Sequence, residues 1–301
     1  MLSWQMNRTL EDLVGRIERT TALDPAADRL ADLASKRLNR STALRNLLSG
    51  TAVGHPLHPI LVGVPLGSWL AASYLDLAGG KAGRAPARKL VGLGVASAIP
   101  AAMAGVNDWA DTMHAERRVG FVHALGNDVA VVLYTGSWLA RRRQRHALGV
   151  ALAASGAVLL GVTGWLGGHL SYARGVGVDT TAFDHASEDW TDVLPEADLV
   201  DDQPTLVYDD KLPVLLVRTG GQLYAIADRC THRGGPLHEG EFSDGCIVCP
   251  WHDSKFRVSD GQVLAGPATR SQRAYEVRTR YGSIQLRHRD EPASLRTEPI
   301  S

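Results

Sequence analysis

The sequence predicts two unlike parts in one chain: an N-terminal bundle of four membrane-spanning α-helices, then a C-terminal all-β domain of small antiparallel sheets. Three observations predict this. Four apolar runs, Leu57–Leu77, Leu90–Val106, Val119–Ala140 and Ala147–Gly168, reach or approach the roughly 20 helical residues that cross a bilayer core of about 30 Å. Acidic residues then crowd an aperiodic stretch (Asp179, Asp184, Glu188, Asp189, Asp192, Glu196, Asp198). Beyond it, short β-rich runs alternate with Gly- or Asp-containing turns. The chain averages hide this division, because a mean hydropathy of −0.09 reads as an ordinary soluble protein.

Charge and cysteine content exclude several classes. With 32 Lys+Arg against 32 Asp+Glu, the chain is no general nucleic-acid binder. Three cysteines cannot build a disulfide framework. Residues 1–50 do not read as a secretory signal, since Glu11 and Asp12 arrive early and no apolar region follows. They read instead as an amphipathic helical segment. Leu10, Leu13, Val14 and Ile17 follow Thr9 as N-cap at helical spacing, and a second short helix is expected with Asp24 as its cap and Pro25 at its first helical position. Such helices would lie along the membrane surface or cover the bundle.

Residues 51–170 form the expected four-helix transmembrane domain. The second and fourth runs carry no charge, the first only Asp76 and the third only Asp128. Abundant Ala and Gly suit close helix packing in lipid. A soluble Ala-rich bundle is the competing reading. The loops on one side hold Lys81, Arg84, Arg88, Lys89, Arg141, Arg142, Arg143 and Arg145, against Arg40, Arg45, Arg117, Arg118 and Arg174 near the spans on the other. The positive-inside bias therefore favours a multi-pass cell-membrane protein with its C-terminal domain outside the cytoplasm. Arg141–Arg143 read as a positive-inside anchor rather than a twin-arginine signal, because no Phe-Leu follows.

An even number of crossings gathers His55, His58, His114, His123 and His169 on the side of the C-terminal domain, with Asn127 one turn from His123. Polar groups within a span mark a site by default, so these six residues are candidates for a b-type haem, a quinone head group or a metal. Simple anchoring of helix ends in the headgroup region is the alternative. Gly67-Ser-Trp69-Leu-Ala recurs as Gly136-Ser-Trp138-Leu-Ala, and Gly105-Val-x-x-Trp109 as Gly161-Val-x-x-Trp165, which suggests a duplicated hairpin. The His55-Pro-Leu-His58-Pro entry resembles an uncharacterised bacterial four-helix membrane domain family, over about residues 50–170.

An acidic linker (171–195), the β domain (196–290) and a tail (291–301) complete the expected organisation. Strands are expected at Pro213–Arg218, Leu223–Ala227, Cys246–Cys249, Ala274–Arg278 and Ser283–Arg287. Within the domain stand Cys230-Thr-His232-Arg-Gly-Gly-Pro-Leu237 and Cys249-Pro-Trp-His252, with sixteen residues between His232 and Cys249. Two Cys and two His in paired loops hold either a tetrahedral zinc or a [2Fe-2S] cluster with two thiolates on one iron and two imidazoles on the other.

These blocks resemble the Rieske iron–sulfur family over about residues 196–290, with Gly266-Pro267 where that family places a third loop. The resemblance implies a [2Fe-2S] cluster with Cys230 and Cys249 on one iron and His232 and His252 on the other. Quinol-oxidising Rieske proteins add a disulfide between the loops; Gly235 and Trp251 stand at those positions, so this chain lacks it. Ser254 matches a serine that hydrogen-bonds a cluster sulfur, and Phe256 replaces a tyrosine that does the same. One fewer hydrogen bond lowers the potential, so a low to middle value in the Rieske range of about −150 to +300 mV is expected. The family's oxygenases need a further mononuclear-iron domain, and only fourteen residues follow Arg287. The expectation is therefore an electron carrier or oxidoreductase subunit, not an oxygenase catalytic subunit. It would carry single electrons between a membrane donor (quinol or haem) and a redox protein partner, in contact with membrane lipid. A ferredoxin-type component with the spans only as anchor, and a zinc-stabilised interaction module, are the rivals.

Overall fold

Apolar length decides the helices. In a computed structural model, which describes residues 2–288, α4 (Leu57–Ala78), α5 (Gly80–Ala110), α6 (His114–Arg142) and α7 (His146–Gly168) follow three shorter helices, α1 (Leu2–Arg19), α2 (Asp24–Leu38) and α3 (Thr42–Ser49). The tail expected at 291–301 lies outside the described residues. All four long helices are long and apolar enough to cross a membrane, α7 together with the π-turn His169–Ala173 that continues it. The chain divides into two units, one of Met1–Ser41 and Leu57–Val176, the other of Thr42–Pro56 and Gly177–Ser301.

In the first unit α4 and α5 form one hairpin and α6 and α7 another. The first helix starts earlier than Thr9, which lies inside α1, because nothing between Leu2 and Thr9 breaks a helix. Its apolar stripe covers the bundle: Val14 joins Val119 and Leu166 in a buried cluster, with Ile17 against it. At α2, Asp24 takes both carboxylate oxygens to Arg118 (2.5 and 2.8 Å) rather than capping.

At the end of α1, Glu18 accepts hydrogen bonds from His169 Nε2 (3.0 Å) and Arg174 Nε (2.8 Å). Burial pushes the Glu18 carboxyl up, but those two partners outweigh it and hold it below its ordinary 4.5. A depressed folded value stabilises the fold above 4.5 and loses that contribution as pH falls through the folded value. Detergent-solubilised protein is therefore expected to lose thermal stability on acidification below pH 4.5, and Glu18→Gln to flatten that part of the profile. Parallel profiles for the two proteins would contradict this role.

The two hairpins are repeats, but in a different register from the one the short sequence matches suggested. Trp69 packs on Gly94, where a Cβ would lie 2.2 Å from its Nε1, and Tyr134 packs on Gly156, where a Cβ would lie 2.8 Å from its Cε2. His58 Nδ1 donates to Ala101 O and His123 Nδ1 to Thr163 O, both at 2.8 Å. The same rings abut Gly105 and Gly167. The offset is thus 65 residues between α4 and α6 (58 to 123, 69 to 134) and 62 between α5 and α7 (94 to 156, 101 to 163, 105 to 167). The sequence match of Trp69 to Trp138 is four residues off, about one helical turn, so it kept the helix face and missed the level.

Equivalent residues meet where the repeats face each other. Trp69 and Tyr134 stack with ring centroids 4.0 Å apart and planes 4° apart. Asp76 and Arg141, again 65 residues apart, form a two-pronged ion pair (2.7 and 2.5 Å) with side chains 5% and 2% exposed. Arg141 is thus withdrawn from the basic loop cluster in which the sequence reading placed it.

The second unit is built on two antiparallel sheets. Six strands run in the order β1 (Thr191–Pro195), β10 (Ser283–His288), β9 (Ala274–Arg280), β4 (Gln222–Ala227), β3 (Leu212–Thr219), β2 (Thr205–Asp209). Four short strands follow the order β5 (Glu241–Ser243), β6 (Cys246–Val248), β7 (Lys255–Arg257), β8 (Val263–Ala265). Along β3 the side chains alternate. Leu215 and Val217 enter a core with Ile247, Phe256, Cys230 and Cys249, while Val214 and Leu216 enter a second core with Ile284 and Leu286. From Gly177 onward the expected acidic linker is part of this unit. Ser187 N–H donates to Asp209 (2.8 Å), Trp190 lies under Arg278 at 3.9 Å, and β1 pairs with β10. Its acidic residues find partners far along the chain, which local composition does not reveal.

Candidate metal centre

Three loops at one end of the sheets converge. The first (228–239) leaves β4 and the second (249–254) joins β6 to β7. The third joins β8 to β9 and contains the cis peptide Gly266–Pro267. The first loop is closed by Cys230 N–H to Gly235 O (2.9 Å) and Gly234 N–H to Cys230 O (2.8 Å), a tight turn with Gly234 at φ +77°. The second is closed by Cys249 N–H to Ser254 O (2.8 Å) and Asp253 N–H to Cys249 O (3.1 Å). Bonds between loops fix their separation: Thr231 Oγ1 donates to Arg270 O (2.8 Å), and Ser254 Oγ accepts Ala268 N–H (2.9 Å).

This framework brings together the four expected ligands. Cys230 and Cys249, each 1% exposed, lie side by side in the core. Their mutual hydrogen bond, together with burial, holds Cys230 above the ordinary thiol range. The same bond, with the backbone N–H groups of Trp251 and His252, brings Cys249 down to about 7. The rings of His232 and His252 stand edge to face with centroids 5.0 Å apart. Burial, then the neighbouring His252, Arg233 and Arg45, keeps His232 well below the ordinary histidine range, hence neutral as a metal ligand must be.

The donors fit a two-iron cluster. They form a thiol pair and an imidazole pair, the two-plus-two set that one iron with two thiolates and one with two imidazoles takes. The site also has a glycine cradle, since a Cβ on Gly235 would lie 2.8 Å from Cys249 Sγ and 3.1 Å from the Trp251 ring. Gly235 and Trp251, the positions where the quinol-oxidising branch has its disulfide, are thus in contact.

The membrane candidates do not form one cluster. His55 is exposed and belongs to the second unit, and His114 is an exposed helix start at φ +49°. His169 is committed to Glu18. His58 and His123 stand at equivalent repeat positions, each with Nδ1 on a backbone carbonyl. His123 is saturated: its Nδ1–H donates to Thr163 O, its Nε2 accepts from Asn127 Nδ2 (3.0 Å), and Asn127 Oδ1 accepts from Thr163 Oγ1 (2.8 Å). No ring nitrogen remains there for a haem iron.

Sequence reasoning missed the residues that brace the loops. Asp228, 2% exposed, accepts His238 N–H (2.7 Å) and His238 Nδ1–H (2.8 Å), which ties His238 to the start of the first loop. Thr180 donates to Cys230 O (2.9 Å) from 50 residues upstream. An Asp two residues before a ligand was the one available signal; Thr180 had none.

The Rieske [2Fe-2S] domain family matches residues 189–276, and a family described as "Predicted membrane protein (DUF2231)" matches residues 54–180. The 3-phenylpropionate/cinnamic acid dioxygenase ferredoxin subunit of Escherichia coli (strain K12) is 39% identical over 77 residues, 25% of this chain and 73% of that protein. The anthranilate 1,2-dioxygenase ferredoxin subunit of Burkholderia cepacia is 29% identical over 89 residues, 30% of this chain and 82% of that protein. Among solved structures, the ferredoxin of carbazole 1,9a-dioxygenase from Nocardioides aromaticivorans IC177 is 30% identical. Its alignment covers 33% of this chain and 98% of that one, with a TM-score of 0.32.

Proposed function

The chain belongs to the Rieske [2Fe-2S] domain family, and from that premise we propose that it is a membrane-anchored carrier passing single electrons to a protein acceptor. Cys230, Cys249, His232 and His252 would hold the cluster. The observation that carries this reading is the donor arrangement, two buried thiols and two adjoining imidazoles braced by three loops in a chain with four span-length helices. A bound [2Fe-2S] cluster supplies one-electron chemistry. The protein keeps both thiols out of water, keeps His232 neutral, and presents His252 beside the half-exposed Trp251 as the edge a partner reaches. Ferredoxin subunits among the relatives support an acceptor of the oxygenase or reductase class.

The spans then serve first as an anchor, because three of the five candidate histidines are exposed or paired elsewhere and His123 is saturated. A quinol donor is the second reading. It is favoured by His58, whose Nε2 makes no hydrogen bond among the described residues although the ring is fixed by Ala101 O. The charge bias supports a Rieske unit outside the cytoplasm.

Optical and low-temperature EPR spectra of detergent-purified full-length protein, oxidised and dithionite-reduced, test the proposal. A Rieske signal without a haem Soret band is expected. A Soret band would restore the membrane-haem donor, and zinc without iron or acid-labile sulfide would replace the carrier by an interaction module. With Phe256 in place of a hydroxyl donor and no disulfide, the midpoint is expected in the lower or middle part of the range of about −150 to +300 mV. A value above about +200 mV would contradict that account.

A further inference from the structure

We propose that Arg45 sets the reduction potential of the cluster, acting from a segment that precedes all four span-length helices in the chain. The inference rests on the ligand assignment above. Residues Thr42–Pro56 belong to the same unit as the three loops. Asn46 Oδ1 accepts the N–H of Gly266 at 2.8 Å, and Thr51 Oγ1 donates to Ala268 O at 3.1 Å. Gly266 has no room for a side chain there, because a Cβ would lie 2.4 Å from Thr51 Oγ1 and 3.5 Å from Ser49 Cβ. The third loop is thus clamped on one side by this segment, and on the other by Ser254 and Thr231 of the ligand loops.

Arg45 sits next to Asn46 in the clamp and is 7% exposed. A guanidinium does not lose its proton in proteins, so the segment brings a permanent positive charge to the cluster's surroundings. The charge sits in the segment that holds Gly266 and Ala268, and the loop of those residues is bonded in turn to Thr231 and Ser254 of the ligand loops. Reduction brings one electron from the reductant to the site, and its charge falls by one. A fixed cation in the segment that clamps the third loop favours that state, and burial of Arg45 spares the interaction from screening by water and salt.

EPR-monitored titrations of wild type, Arg45→Met, Arg45→Gln and Arg45→Lys test this. Loss of the charge is expected to make reduction about tenfold less favourable, a midpoint about 59 mV lower for a one-electron couple. Lysine should restore most of the shift, which a purely structural role would not allow. The shift should persist at about 1 M salt, where the Debye length falls to about 3 Å. Should the Met variant lose its cluster, the Gln variant, which keeps a polar side chain in place, reads the same effect. Wild-type midpoints in charge-free variants with intact signals would overturn the proposal. So would an equal shift in the Lys variant. Absence of any Rieske signal in iron-replete wild type would instead overturn the ligand assignment.

Discussion

Gly235→Ala is expected to empty the metal centre without unfolding the domain around it. The new methyl would stand 2.8 Å from Cys249 Sγ and 3.1 Å from the Trp251 ring, closer than carbon approaches either. Neither side can give way easily. Cys249 is held by its N–H bond to Ser254 O and sits in the core with Ile247 and Phe256, while Gly235 O holds the N–H of Cys230. The thiol must move, and metal–ligand distances tolerate only about 0.2 Å. Acid-labile sulfide and EPR amplitude per chain should fall at least about tenfold, with the far-ultraviolet circular dichroism of the sheets retained. Gly221→Ala is the matched control. It has φ +74° and no atom within 4 Å of the new carbon, so it costs about 1–2 kcal/mol of backbone strain and leaves cluster content unchanged. Full cluster content in Gly235→Ala would show that the loops adjust to a side chain there.

The second large effect is expected in the membrane unit. Arg141→Leu strands the Asp76 carboxylate, 5% exposed, among helices that offer it no other cation at that distance among the ion pairs described. Removing one partner of a buried ion pair costs about 3–5 kcal/mol, whereas replacing both by apolar residues is often neutral. For a unit of this size that corresponds to a fall in thermal midpoint of roughly 6–20 °C. The double variant Asp76→Leu/Arg141→Leu should recover most of it. The Ser137 hydroxyl, which accepts Arg141 Nε–H at 3.1 Å and donates to Gly149 O at 2.6 Å, keeps the latter bond in both variants. Equal destabilisation in single and double variants would mean that packing, not charge, is what Arg141 supplies.

How much of this was legible in the sequence depended on the range of the interactions. The proposed ligand set needed only two short blocks, Cys230–Leu237 and Cys249–His252, because loop chemistry around a metal is local. The spans needed only apolar length. Strands β3, β4, β6, β9 and β10 appeared where expected within one or two residues, because each carries a run of strand-forming residues. Strands β1, β2, β5, β7 and β8, three to five residues each, are too short to set up a pattern and form because neighbours pair with them. The histidines illustrate the opposite limit. Sequence puts five on one side of a bilayer, but Glu18 is 151 residues from His169 and Thr163 is 40 from His123, and those partners decide what each ring can do. Arg45 was counted as one basic residue near a span; its burial beside the third loop depends on contacts 220 residues away, such as Asn46 to Gly266.

The clamp by Thr42–Pro56 also has a consequence for biosynthesis. The cluster unit is discontinuous: its first piece leaves the ribosome before the four long helices, and its second only after them. At about 5–20 residues per second, the 120 residues from Leu57 to Val176 take roughly 6–24 s, during which the first piece waits without its fold. Both pieces must finish on the same side of the bilayer, so only an even number of insertions yields a complete unit. A chain that skipped one span would leave the third loop without its clamp. Closure of the metal centre therefore reports that the number of insertions was even.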